Sequence, residues 1–176
     1  MPDYRPDFYD VLDSVSDPVA DPENVARSKE ALRRWISTTH DKDIEAVRAL
    51  MADDIVIEIP FSESGITDPG NYRVYTGIDE CVGFWKVAFQ AEGTMYGPLN
   101  CEISFTADGR TAFLECRNHL TMANGRTYKN RYVMRTDFDD GKITGVREYY
   151  NPIQSAYAFR RPIAGQFYLD SLEPTS

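Results

Sequence analysis

The 176-residue chain is short of the features that place a protein in a specialised class. Basic residues are in deficit: 19 Lys plus Arg stand against 28 Asp plus Glu, for a formal charge of -9. A surface of that sign repels phosphate backbones and anionic lipids, so neither nucleic acid nor a membrane is an expected partner. No run approaches the roughly 18 apolar residues of a spanning helix. The opening MPDYRPDFYD lacks the basic and apolar regions of a leader, and the chain reads as soluble, unexported and cytoplasmic. Cysteine is scarce and unpatterned: Cys81, Cys101 and Cys116 form no CxxC, and only His40 and His119 could join them. Reduced thiols and no metal site are the expectation. Internal repeats, low-complexity blocks and Gly/Ser linkers are also missing, which leaves a single architecture to account for nearly the whole chain. Aromatics are what the sequence has in quantity. Its 11 Tyr, 9 Phe and 2 Trp serve either a pocket for flat or phenolic ligands or a bulky core.

Residues 1–20 hold Pro, Asp and Ser without periodicity and read as an N-terminal arm, followed by a domain over 21–155 and a C-terminal extension over 156–176. Asp21 followed by Pro22 and Glu23 signals a helix start, and Val25, Leu32, Trp35 and Ile36 form its apolar stripe. A shorter helix carries Ile44, Val47, Leu50 and Met51. A strand of about six residues around Ile55, Val56 and Ile57 then stops at Pro60. SESGITDPGN, residues 62–71, has loop composition, Arg73–Thr76 suits a short strand, and Ile78, Val82, Trp85 and Phe89 share one side of a third helix. Beyond Met95, strands over 101–106, 111–122, 127–138 and 142–150 are divided by Asp108-Gly109, Asn124-Gly125 and Asp140-Gly141 and closed by Asn151-Pro152. Such turns make an antiparallel meander. Three helices first and a curved antiparallel sheet afterwards predict an α+β domain shaped as a cone, with the helices closing its open side.

Alternation assigns faces to these strands. Ala112, Leu114, Cys116, Asn118 and Leu120 form one core face, and Tyr128, Asn130, Tyr132 and Met134 form the next. Thr144, Val146, Glu148 and Tyr150 form the last, where the two faces contrast least. This places Asn118, Asn130, Tyr132, Tyr150 and one ionisable group, Glu148, in an otherwise apolar cavity. Desolvation raises the pKa of such a carboxyl toward neutrality, the tuning that a general base requires. Other readings stay open: Glu148 at the surface or paired with an arginine, and Asn118 and Asn130 tying down buried backbone. Glu58 lies on a strand that permits either face. Glu115, Arg117, His119, Lys129, Arg131 and Arg147 form a charged outer face, and Cys116 reads as a small buried hydrophobe.

The element order resembles the nuclear transport factor 2-like fold. Residues 128–152, YKNRYVMRTDFDDGKITGVREYYNP, resemble the last hairpin of SnoaL-like polyketide cyclases and of the PhzA/PhzB proteins of phenazine biosynthesis. LECRNHL at 114–120 and YTGIDE at 75–80 are weaker matches to the PhzA/PhzB type, and the resemblance covers about residues 22–155. It implies a cone-shaped pocket for a hydrophobic or aromatic small molecule, a homodimer or homotrimer, and neither metal nor organic cofactor. It also implies a functional carboxylate on the final strand, where the match falls on Glu148. The PhzA/PhzB helix carries a histidine that this chain lacks, with Phe84 or Trp85 near the matching place, so phenazine chemistry is not the expectation.

The expected function is a cofactor-independent isomerase, cyclase or lyase acting on an aromatic or polycyclic substrate. Glu148 moves the proton, and Asn118, Asn130, Tyr132, Tyr150 and Trp85 hold the substrate. Elimination of formaldehyde from lignin-derived diarylpropane diols, known among members of the superfamily, needs one base and phenol-binding tyrosines. The competing expectation is a non-catalytic hydrophobic-ligand binder or the accessory subunit of a larger enzyme. Tyr157, Phe159, Phe167 and Tyr168 in the C-terminal extension suit packing over the sheet, a neighbouring subunit or a lid.

Overall fold

The computed structural model describes residues 8–14, 20–61, 65 and 72–163. All of the expected 62–71 loop except Gly65, and the aromatics Phe167 and Tyr168, lie outside those residues. Helix α1 (Phe8–Ser14) falls within the stretch read as an aperiodic arm, and its Leu12 is fully buried. Helix α2 (Pro22–His40) starts where the capping signal puts it, with the Asp21 carboxylate accepting the Asn24 N–H at 2.9 Å. Asp43 does the same for Ala46 at the head of α3 (Ile44–Leu50). Met51, expected as the last helical residue, instead opens β1 (Met51–Ile59), a strand of nine residues rather than about six. The short β2 (Arg73–Thr76) and α4 (Ile78–Ala91) follow as expected.

Strand β3 (Glu92–Met95) has no counterpart in the sequence reading. It is followed by the meander of β4 (Leu99–Phe105), β5 (Thr111–Met122), β6 (Thr127–Asp139) and β7 (Lys142–Tyr150). Asp140 and Gly141 take φ of 44° and 75°, the paired positive angles of a tight hairpin turn between β6 and β7. Helix α5 (Pro152–Phe159) then starts where the sequence reading only ended a strand.

The sheet runs β2-β1-β7-β6-β5-β3, with β4 also on β5, and every pairing is antiparallel except β1 with β7. That parallel pair departs from the all-antiparallel expectation. The chain returns from the far end of the meander to close β7 against its first strand. The result is an α+β domain with a curved, unclosed sheet and helices over its concave side. Among the described residues there are five helices rather than three.

The core lies between helices and sheet, where Leu32, Trp35 and Val47 meet Ile57, Leu114 and Val146. The core faces of β5 and β6 follow the alternation, as do Val146, Glu148 and Tyr150 of β7. One end of β7 does not. A register shift between Asp137 and Phe138 pairs Phe138 with Ile143, so Ile143 is fully buried where strict alternation had placed Thr144.

Candidate active site

A cavity of about 400 Å³ opens between α2, α4, α5 and the inner sheet face, within the range of sites for small organic molecules. One wall is aromatic. Trp85 meets Trp35 edge-on at 5.4 Å, Phe84 at 5.2 Å and Phe89 at 5.4 Å, and Phe84 lies 4.8 Å from Tyr75. Packing at this spacing, edge-on or tilted, fixes the ring orientations of an apolar wall. The Trp85 indole N–H is buried and has no hydrogen-bond partner among the described residues. Such a donor is costly to leave unpaired, and a ligand acceptor in the cavity would satisfy it.

The opposite wall is polar and comes from the sheet. Glu148 lines the cavity from β7, and burial pushes its carboxyl up to about 7 while the Arg73 guanidinium pulls it back. Arg73, on β2, also donates to the Tyr150 hydroxyl. Tyr132 and Tyr150 stand with ring centroids 5.6 Å apart, and the Tyr132 hydroxyl is 2.6 Å from that of Tyr128. Burial raises the Tyr128 phenol to about 12 and Tyr132 well above the ordinary phenol value, so both remain neutral donors. Asn118 lines the cavity from β5, its Oδ1 accepting the His119 N–H at 2.9 Å.

The residues expected in the site therefore divide. Glu148, Asn118, Tyr132, Tyr150 and Trp85 all border one cavity. Asn130 does not. Although buried on the inner face, it spends its amide on the Tyr128 hydroxyl at 2.9 Å and the Asn151 carbonyl at 3.0 Å. Its oxygen accepts the Arg131 and Asn151 N–H groups, so it ties β6 to the start of α5 behind Tyr128. Glu58 lies on the outer face, where Arg147 and Tyr72 donate to it. His119 also lies outside, its ring 5.3 Å from Tyr96. Cys116 borders the cavity with its thiol pushed up by burial, far from a reactive thiolate.

Sequence reasoning missed four cavity residues that bear on the chemistry. Arg73 sits on a four-residue strand and Glu92 on the helix-to-strand junction, where neither periodicity assigns a face. Burial holds the Glu92 carboxyl at about 7, with Lys42 lowering it and Glu148 raising it. Ser155 and Arg161 reach the cavity because of α5, as does Phe159. The capping signal for α5 was present: Asn151 accepts the Ile153 N–H at 3.0 Å and Pro152 opens the helix, the arrangement of Asp21 and Pro22 again. Among the described residues no group of three or more His, Cys, Asp or Glu could hold a metal ion, and no helix is long and apolar enough to cross a membrane.

Comparison with known proteins gives the same architecture. The sequence profile of the SnoaL-like domain matches residues 32–146. YesE, an uncharacterised protein of Bacillus subtilis strain 168, is 25% identical over 134 residues, 74% of this chain and 85% of YesE. A candidate isomerase of Bacillus subtilis superposes with a TM-score of 0.65 at 20% identity, over 80% of this chain and 97% of that one. A candidate polyketide cyclase of Xanthomonas campestris pv. campestris does so with a TM-score of 0.63 at 18% identity, over 77% and 98%. At these identities the solved structures speak for the fold, and the profile speaks for the family. The chain belongs to the SnoaL-like domain family, within the nuclear transport factor 2-like fold.

Proposed function

We propose that the protein is a cofactor-independent enzyme of isomerase or cyclase type that takes an aromatic or polycyclic small molecule and moves a proton with Glu148. The observation that carries this reading is a fully buried carboxyl, Glu148, on the polar wall of an aromatic cavity, held near 7 by burial. A carboxylate with that proton affinity removes a proton from a carbon acid and returns it within a turnover, which contributes about 10²–10⁴ in rate. Tyr132, Tyr150 and Asn118 orient the substrate's polar groups, and the Trp85 face stacks its ring. The candidate isomerase and cyclase of the same fold agree with this reaction type.

A base beside phenols also suits the finer proposal, elimination of formaldehyde from a lignin-derived diarylpropane diol, with the Tyr128-Tyr132 pair meeting a phenolic ring. The homo-oligomer is proposed to form through the outer sheet face, where Phe113 and Val133 are 43% and 45% exposed. Solvent-deuterium incorporation at the carbon beside the carbonyl of 2-tetralone, a two-ring ketone, tests the base. The wild type exchanges faster than buffer and Glu148→Gln loses that excess. Equal exchange in the two proteins would leave a non-catalytic ligand binder as the better reading.

A further inference from the structure

Two carboxyls besides Glu148 border the cavity: Glu80, which is exposed and accepts the Thr76 N–H at 2.8 Å, and Glu92, whose carboxyl is buried. Glu92 ends α4 at the point where the chain enters β3, and its side chain borders the same cavity as Glu148. Its Oε2 is buried and has no hydrogen-bond partner among the described residues. The nearby cation does not supply one. Lys42 directs its ammonium to main-chain carbonyls, those of Phe89 at 3.4 Å, Gly93 at 2.9 Å and Glu92 itself, and so closes the C-terminus of α4. Leaving a carboxylate oxygen buried without a donor is costly, whereas a carboxylic acid in the same place is neutral and brings an O–H donor to the cavity border.

We infer that Glu92 is the proton donor of the site: in its protonated form it hydrogen-bonds an oxygen of the substrate while Glu148 works on the adjoining carbon. This rests on the proposed role of Glu148 and narrows the substrate to a molecule with a carbonyl oxygen beside an acidic C–H bond. As the Glu148 carboxylate takes the proton, the C–H bonding pair becomes the new carbon-carbon double bond. The carbonyl π pair moves to oxygen, which takes the Glu92 proton. The product is a bound enol, with Glu92 ionised and Glu148 protonated. Reversal, or return of the proton to a different carbon, restores both groups with no net change in electrons. Glu148 raises the proton affinity of Glu92 through its charge, so Glu92 is most firmly protonated when Glu148 is the carboxylate that a base must be.

Binding separates this inference from the role of Glu148. The probes are 2-tetralone and tetralin, which share a two-ring frame and differ in the ketone oxygen. The wild type prefers the ketone about tenfold, the value of one neutral hydrogen bond. Glu92→Leu abolishes the preference while still binding tetralin, and Glu92→Gln, which keeps an N–H donor, retains it. No preference in the wild type, or one that survives Glu92→Leu, overturns the inference. Deuterium exchange into 2-tetralone tests Glu148 independently. Loss of exchange in Glu148→Gln beside an unchanged preference in Glu92→Leu would sink the donor alone.

Discussion

Two carboxylates near one another in the sheet meet opposite fates. Glu58 on β1 is paired in register with Arg147 on β7, and the next residue of that strand is Glu148, pointing to the other face. On the outer face burial raises Glu58, but the Tyr72 hydroxyl at 2.7 Å and the Arg147 guanidinium at 2.8 Å outweigh it and hold the group below its ordinary value. On the inner face burial dominates, Arg73 offsets only part of it, and Glu148 stands at about 7. Both residues are glutamates on neighbouring strands. The difference is the count of donors against the loss of water, and strand alternation puts the two environments one residue apart.

The largest expected effect breaks this comparison at the level of chemistry. Glu148→Gln lowers exchange of 2-tetralone by about 10²–10⁴, the usual contribution of a positioned base. Glu58→Gln leaves it within a few-fold, because its charge is neutralised on the far side of the sheet. A loss of equal size in both variants would mean that the sheet, and not the inner carboxyl, is what the reaction needs.

Stability against pH should separate the pair next. The folded protein binds a proton at Glu148 more tightly than the unfolded chain, whose value is the ordinary 4.5. Its contribution is full below about 4.5 and is lost as pH rises through about 7. Glu58 has the opposite sign, contributing above the ordinary carboxylate value and losing that as pH falls through its lower folded value. Urea unfolding at pH 5 and pH 8 reads this. Glu148→Gln gains up to about 3 kcal/mol over the wild type at pH 8 and little at pH 5. If its gain is the same at both pH values, the group does not titrate where its burial implies.

How far the sequence reached follows the same division between regular and irregular backbone. Tyr132 and Asn118 lie on long strands whose neighbours alternate cleanly, so their inward direction is legible in the sequence, whereas Glu148 and Tyr150 lie on β7, where the two faces contrast least and the resemblance of the final hairpin adds the signal for Glu148. Asn130 was also given its correct face. Facing inward is not the same as facing the cavity, because α5 and Asn151 cover that part of the strand. Ile143 and Thr144 exchanged places because a register shift interrupts the period, and nothing in local composition marks it. Glu92 sits where helical period ends and strand period has not begun. The start of α5 is encoded in Asn151-Pro152, but the same pair equally ends a strand, since proline serves both roles.

On the outer face, removing the cation should cost about 1 kcal/mol. The Glu58-Arg147 pair is partly exposed, with side-chain exposures of 22% and 34%, and solvent screens it. Arg147→Met removes two of the donors to Glu58 and leaves Tyr72, so the carboxylate rises toward its ordinary value without becoming unsatisfied. Chemical denaturation at pH 7 in low and high salt measures it. A cost that salt does not reduce would place the effect in lost packing of the arginine stem instead.

The smallest expected effect is on the inner face, where a cation acts without dominating. Arg73 lowers the proton affinity of Glu148 through its charge while its guanidinium donates to the Tyr150 hydroxyl. Arg73→Met therefore leaves burial, the main cause of the raised value, in place and removes only the opposing pull. The Glu148 titration, read from the side-chain carbon by NMR, should move upward from about 7 by less than Glu58 moves in Arg147→Met. A downward movement would mean that the methionine admits water to the carboxyl, making Arg73 a plug against solvent more than a counter-charge. An upward movement as large as that of Glu58 would mean that Arg73 is a direct partner of Glu148. The inner and outer carboxylates would then differ in degree of burial and not in kind.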